Sequence, residues 1–294
     1  MKRAYKALIA LFCVIMLAAS AYAADGANTL TVSCRHEDTP IPGVLFTAYR
    51  IADIADDGSY NVTDAFAAYP VDHADLTEDR IAKVANTLQG YAERDRLTPD
   101  ASETTDENGE ATFNGLKNGL YLILGKRTTV GTTAYTAVPF AVRLNKSGTL
   151  TAYPKTEAEI ISEEKTSIKV LKSWNDAGNE SKRPADITVE LLCDGEVSDK
   201  VTLSAENKWT HTWEDLDPDH SWNAVEITPR GYKVGQTKEG RTILITNTYD
   251  GGKPTEPHEP LPQTGLLWWP VPVLIGAGII LVAAASVRRR RQDR

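Results

Sequence analysis

The chain has 294 residues, with 32 Lys and Arg against 40 Asp and Glu, for a formal charge of −8. That acidity argues against a nucleic-acid partner, whose phosphates demand a basic surface, and suits a protein in open solvent. Its three cysteines, Cys13, Cys34 and Cys193, give no disulfide framework. For Cys34 and Cys193 two readings stay open, small buried hydrophobes or a bridge between domains.

Lys2, Arg3 and Lys6 precede an apolar run from Ala7 to Ala19, and Ala21-Tyr22-Ala23 supplies the small-x-small pattern of a signal-peptidase site. This predicts a signal peptide over 1–23 and export of the chain from Ala24 onward. Without that segment and the part beyond Gly265, 24 basic and 39 acidic residues remain, a formal charge of −15 over about 240 residues. That length fits two ordinary domains.

From Asn28 to Tyr153, short alternating pieces ("TLTVSC", "VLFTAYRI", "EATF", "LYLILG", "YTAVPFAVRL") are separated by "TPIPG", "ADDG", "DENG" and "LKNG". These separators supply glycine's positive φ or an Asx hydrogen bond, so the spacing predicts a β-sandwich over 24–160. Ile81, Val84, Leu88 and Tyr91 recur at helical spacing after Asp75 and Glu78, a candidate N-cap and N3 pair. One inserted amphipathic helix laid against the sandwich is expected.

A second alternating region, predicted as a sandwich over 166–250, reads "TSIKVLKSW", "ITVELLCDG", "KVTLSAENKWTHTW", "WNAVEITPRGYKV" and "TILITNTY". It holds four of the six tryptophans and the first region holds none, so separate cores are expected. In "IKVLKSW" the period of two puts Ile168, Val170, Lys172 and Trp174 on one face, which sets Lys172 in an apolar row. A charged lysine there is costly unless it is paired or neutral.

Residues 251–260, "GGKPTEPHEP", read as an extended spacer without a core. Leu266 to Val287 is uncharged and long enough to span a bilayer at about 20 residues, and the basic tail 288–294 would hold that end in the cytoplasm. The expected fold class is all-β. Two tandem sandwiches of the Ig-like or prealbumin-like kind, the first with one helix, stand between a signal peptide and a C-terminal transmembrane helix.

Three resemblances add function. Leu261-Pro262-Gln263-Thr264-Gly265 is similar to the LPxTG sorting signal of Gram-positive surface proteins, which a sortase cuts after the threonine. The implied product is joined through Thr264 to a peptidoglycan precursor or to another subunit, at the cell wall, after transient retention by the apolar span. An ordinary single-span membrane protein is the alternative. The second region resembles a CnaB-type domain through "LKSWND", "KRPADITVELL", "KVTLSAENKWTHTWEDL", "VEITPRGY" and "ILITNTY". That resemblance implies a self-formed isopeptide bond between Lys172 and Asn247, with Glu226 as proton shuttle; Lys172 and Glu226 as simple surface charges or as an ordinary ion pair are the alternative. The first region resembles the N-terminal sandwich of Gram-positive pilin subunits through "PIPGVLFTAYRIADI", "TTDENGEATFNGLKNGLYLI" and "AYPKTE". Its Tyr153-Pro154-Lys155 resembles the YPK core of the pilin motif, which implies that Lys155 accepts the threonine carbonyl of a neighbouring subunit. The sequence reads "AYPKT" where shaft subunits read VYPKN, and a solvated linker lysine is the alternative. The early strand "TLTVSCRHE" offers no lysine, so no such crosslink is expected in the first sandwich.

An enzyme is the first rival class. His36, His73, His211, His220 and His258 have no HExxH or other close ligand spacing, and neither GxSxG nor a P-loop occurs, so no metal, cofactor or external substrate is expected. "DIADDG", Asp53 to Gly58, is similar to a calcium loop, but Ala55 occupies a ligand position and Asp64 stands where a glutamate belongs, so it reads as a turn. The second rival is a wall-anchored adhesin that binds a host ligand without polymerising; only Lys155 separates it from a shaft pilin. A basal pilin lies between the two.

Overall fold

The computed structural model describes residues 28–73, 78–145, 148–161 and 164–251. The signal peptide, Asp75, the spacer beyond Gly251, the LPQTG segment, the apolar span and the basic tail lie outside the described residues. Among those that are described, no helix is long and apolar enough to cross a membrane.

The first sandwich runs through β1 (Asn28–Ser33), β2 (Arg35–His36), β3 (Thr39–Pro40), β4 (Leu45–Ile54), β5 (Tyr60–Val62), α1 (Asp64–Ala67) and α2 (Glu78–Arg94). It continues with β6 (Ala101–Thr104), β7 (Glu110–Leu116), β8 (Gly119–Gly125), β9 (Thr128–Val130), β10 (Thr133–Ala137), β11 (Phe140–Leu144), β12 (Thr149–Ala152) and β13 (Thr156–Ile160). The sheet β12-β1-β7 faces the sheet β11-β8-β4-β5, with β6 also on β4, while β13-β10-β9 forms a smaller sheet. β1 and β12 run parallel. Leu30, Val32, Phe46, Phe113, Tyr121 and Ile123 fill the space between the sheets.

Local chemistry explains where the strands stop. The stretch "YTAVPFAVRL" divides into β10 and β11 because Pro139 has no N–H to give a ladder, and the two halves join different sheets. In "DENG", Asp106 Oδ1 accepts the backbone N–H of Asn108 and of Glu110 at 2.9 Å each. Gly109 follows at φ 76°, where a Cβ would stand 2.4 Å from the Cys34 carbonyl oxygen, so only glycine fits.

The second sandwich comprises β14 (Thr166–Asn175), β15 (Asp186–Cys193), β16 (Glu196–Ser204), β17 (Thr210–Leu216), β18 (Trp222–Ile227), β19 (Tyr232–Glu239) and β20 (Thr242–Tyr249). Its sheets are β17-β14-β20-β19 and β16-β15-β18. First and last strands, β14 and β20, lie side by side and parallel, with Trp174 opposite Asn247.

Two sequence expectations need correction. A four-residue helix, α1, precedes the expected one. The cores are also not separate: one apolar cluster runs from Ile51, Leu120 and Leu122 through Leu88 and Tyr91 of α2 to Val189, Leu191, Val225 and Ile245 of the second sandwich. The helix lies between the sandwiches, which share its one broad apolar face of Val84, Ala85, Leu88, Tyr91 and Ala92. β8 faces both ways, since Tyr121 and Ile123 face the first core while Leu120, Leu122 and Leu124 face the helix side. A strand buried on both faces reads as the continuous run "LYLIL".

Candidate functional site

Lys172 is placed by strand alternation. Along β14, Thr166, Ile168, Val170 and Lys172 are buried and the residues between them more exposed, as the period of two requires. Across the interior, Glu226 comes from β18 in the opposite sheet, and Asn247 from β20 beside β14. These three side chains, about 75 positions apart at the extremes, meet inside the second sandwich. Lys172 Nζ lies 3.4 Å from Glu226 Oε2, and both side chains are 0% exposed. Asn247, itself 0% exposed, donates through Nδ2 to Glu226 Oε1 at 2.5 Å. Glu226 thus stands between the amine and the amide nitrogen.

Aromatic rings wall the site. Lys172 Nζ sits 4.4 Å from the centre of the Trp174 ring, which meets Trp209 and Tyr232 edge-on at 5.2 and 5.1 Å. One further hydrogen bond holds the amine, to the Ser173 carbonyl at 2.9 Å. Behind Trp174, Arg183 is paired with the buried Asp176.

Burial dominates the electrostatics. Desolvation lowers the Lys172 pKa to about 8 against the opposing pull of Glu226. It also raises the Glu226 carboxyl above its ordinary value, against the opposing charge of Lys172. Both shifts favour the uncharged forms, a neutral amine and a protonated acid. Glu226 Oε2 has Lys172 Nζ at 3.4 Å as its contact, and among the described residues Asn247 Oδ1 has no hydrogen-bond donor. A neutral amine, an amide and a protonated acid in contact, dry and without solvent access, can exchange an amide nitrogen.

Lys155 lies elsewhere, in the turn between β12 and β13. Its side chain is 75% exposed and 3.5 Å from Glu157 Oε1, and Tyr153 is equally exposed. The turn is nonetheless tied down, because the Lys155 carbonyl accepts the Val138 N–H at 2.8 Å. Leu261, Pro262, Gln263, Thr264 and Gly265 fall outside the described residues. In the "DIADDG" segment, Asp57 Oδ1 accepts from Ser59 N and Oγ at 2.9 and 2.6 Å, which makes it a closed turn.

Some convergences had no signal in the sequence. Cys193, Asp194 and His220 bring their ligand-type atoms within 4.8 Å of one another at the tip of the β15–β16 hairpin, His220 Nδ1 being 2.6 Å from Asp194 Oδ2. The "DG" turn marks the hairpin, but nothing local marks His220 as its neighbour. Cys34 and Cys193 are both free thiols.

A 104-residue stretch is 36% identical to the collagen adhesin of Staphylococcus aureus, covering 32% of this chain and 9% of the adhesin's length. Among solved structures, a single B repeat unit of the collagen-binding surface protein of S. aureus is 18% identical, with 77% of this chain and 99% of that one covered at a TM-score of 0.28. The minor pilin of Streptococcus agalactiae is 19% identical, with 76% and 96% covered at 0.28. The shaft pilin of Lactobacillus rhamnosus GG is 15% identical, with 79% and 100% covered at 0.27. The matched families are pilin and adhesin domains rather than enzymes: residues 17–157 match the Gram-positive pilin subunit D1, N-terminal domain, and residues 168–248 match the Cna protein B-type domain.

Proposed function

We propose that the chain is a structural cell-surface protein of a Gram-positive bacterium, exported and joined by a sortase through Thr264, and that it serves as a pilin subunit whose second sandwich crosslinks itself. The observation that carries the crosslink is the dry constellation of Lys172, Glu226 and Asn247. In its reactive form the pair is neutral, the proton having moved from Lys172 to Glu226. Lys172 Nζ attacks Asn247 Cγ, the Nζ–Cγ bond forms, and the Cγ–Nδ2 bond breaks. Glu226 gives its proton to Nδ2, so that ammonia leaves, and takes the second proton released by Nζ. Atoms and charge balance without an outside enzyme or cofactor. The hydrogen bond from Nδ2 to Oε1 favours this leaving-group role, and a half-turn of the amide would present Oδ1 to the same carboxyl instead. The exported chain is expected to be one ammonia lighter than its sequence mass; an unchanged mass would remove the crosslink.

The pilin role is supported by an exposed, backbone-anchored Lys155 at the end of the segment that matches the pilin D1 family. A primary amine in that setting can accept the Thr264 acyl group of a neighbouring subunit. The test is an immunoblot of boiled cell-wall extracts from cells carrying the native protein or Lys155→Ala. A high-mass ladder that collapses in the variant is expected. A single wall-linked species in both would favour the non-polymerising adhesin, a reading that the adhesin match also admits.

A further inference from the structure

We propose that helix α2 of the first sandwich closes the crosslinking site of the second, with Tyr91 as a positioning residue for Glu226, so that the bond forms at full rate only when the two sandwiches are docked. This rests on the self-crosslinking reading and concerns where that site ends.

The strand order leaves a gap. Among the described residues, β18 and β19 are the edges of their sheets, β18 pairing only with β15 and β19 only with β20. Between two such edges a sandwich is open, and each edge carries unpaired backbone groups that water or a partner must satisfy. Here the first sandwich supplies the partners. The Val234 N–H of β19 donates to the Pro70 carbonyl at 2.7 Å, and the Gln236 N–H donates to Thr87 Oγ1 of α2 at 2.8 Å. On β18 the Glu226 carbonyl accepts from the Tyr91 hydroxyl at 3.3 Å, and that hydroxyl lies 3.0 Å from Thr228 Oγ1. The residue that carries the acid is therefore held through its own backbone by the other domain.

Packing repeats the point. Gln236 Nε2 donates to Asn223 Oδ1 at 3.0 Å, joining the two edges beneath the helix. Gly90 packs against β18: a Cβ there would lie 2.6 Å from Val225 Cγ2, well inside contact distance. Thr87, Tyr91, Asn223, Val225 and Gln236 are all buried, so the seam is sealed. Without α2 the seam is open to water, which would solvate Lys172 and Glu226 as ions and favour the unreactive charged pair.

The experiment tracks ammonia loss by intact mass after cell-free synthesis of the exported chain, with the folded fraction measured in parallel by protease resistance. Tyr91→Phe should slow the loss about fivefold at equal folded fraction, the effect of one hydrogen bond. Gly90→Ala should slow it as well, even though alanine is the better helix former. Gly90→Ala combined with Val225→Ala should recover the rate, because room for the new methyl is restored. Wild-type rates in Tyr91→Phe and Gly90→Ala would overturn the proposal, and so would a slow Gly90→Ala that the second change fails to rescue. A native chain that keeps its full mass would instead overturn the crosslinking reading itself.

Discussion

Replacing Glu226 with glutamine removes the ability to carry a proton while keeping the volume and a hydrogen-bonding end. The carboxyl is 0% exposed, 3.4 Å from Lys172 Nζ and 2.5 Å from Asn247 Nδ2, so no water can take its place. A positioned acid–base group contributes roughly 10²–10⁴ in rate, and Glu226→Gln should slow crosslinking by that factor. Stability should fall with it. The proposed bond would close a loop of about 75 residues from Lys172 to Asn247. By analogy with a disulfide, that closure is worth about 4.5 kcal/mol. For a chain of this size the loss lowers Tm by roughly 10–20 °C. Intact mass and calorimetry on the exported chain measure both quantities. If Glu226→Gln loses ammonia at the native rate, the carboxyl is not the proton carrier and the mechanism fails, whatever happens to Tm.

Other perturbations probe the same physics. Crosslinking needs one proton shared by Lys172 and Glu226; with Lys172 at about pKa 8, the rate measured by ammonia loss should fall at pH values above that as the pair loses the proton. A rate that keeps rising into strong alkali would contradict this. Trp174→Leu strips the ring 4.4 Å from Nζ, admits water and favours the ammonium; slower ammonia loss is expected, and an unchanged rate would show that the aromatic wall is irrelevant. His220 is hydrogen-bonded to the Asp194 carboxylate, which raises its pKa above 6.5. A raised folded pKa means that this stabilisation is fully present below the unfolded value and is lost as pH rises through the folded one. The stability difference between the native chain and His220→Ala should therefore shrink from about pH 5 to about pH 8, and because the pair is half exposed it should stay under about 1 kcal/mol. Urea titrations at the two pH values measure this, and a difference that grows toward pH 8 would refute the pairing.

What could be read from the chain was what strand periodicity and turn chemistry encode locally. The inward face of Lys172 came from "IKVLKSW" and a strand end from "DENG", whereas the break at Pro139 inside "YTAVPFAVRL" appears only in the structure. The helix came from Ile81, Val84, Leu88 and Tyr91. Partnership between strands is not local, and there reading stopped. Periodicity marks an apolar face on α2 but not that two sandwiches share it, nor that Tyr91 would reach the carbonyl of a residue 135 positions away. Nothing in the helical periodicity marks Gly90, whose place is set by Val225 of the other sandwich. His220 beside Cys193 and Asp194 is the same kind of case, a neighbourhood made by one hairpin and one loop. Glu226 and Asn247 entered through a family resemblance; their burial supports those roles physically.

The placement of Lys155 and of the crosslink has a mechanical consequence in the proposed polymer. Tension would enter a subunit at Lys155 and leave through Thr264. Along that path lie β13, the start of β14 as far as Lys172, the crosslink, and the chain from Asn247 onward. Residues between Lys172 and Asn247 are bridged, and β1 to β12 of the first sandwich lie before the point of entry. That sandwich carries little load, which agrees with an early strand, "TLTVSC", that has no lysine to crosslink. In the second sandwich the load would otherwise shear parallel β14 and β20 past each other, and there the covalent bond takes the place of their hydrogen bonds. Single-molecule pulling with handles at 155 and 264 tests this. The bridged residues, fully extended, span about 270 Å at ~3.6 Å each, so Glu226→Gln should show an unfolding step approaching that length, and the native chain none. Moving one handle to residue 28 should add a low-force step as β1 separates from β12, which only hydrogen bonds and packing hold. A long step in the native chain pulled from 155 would mean that the second sandwich bears tension without its bond, and the mechanical reading would fall.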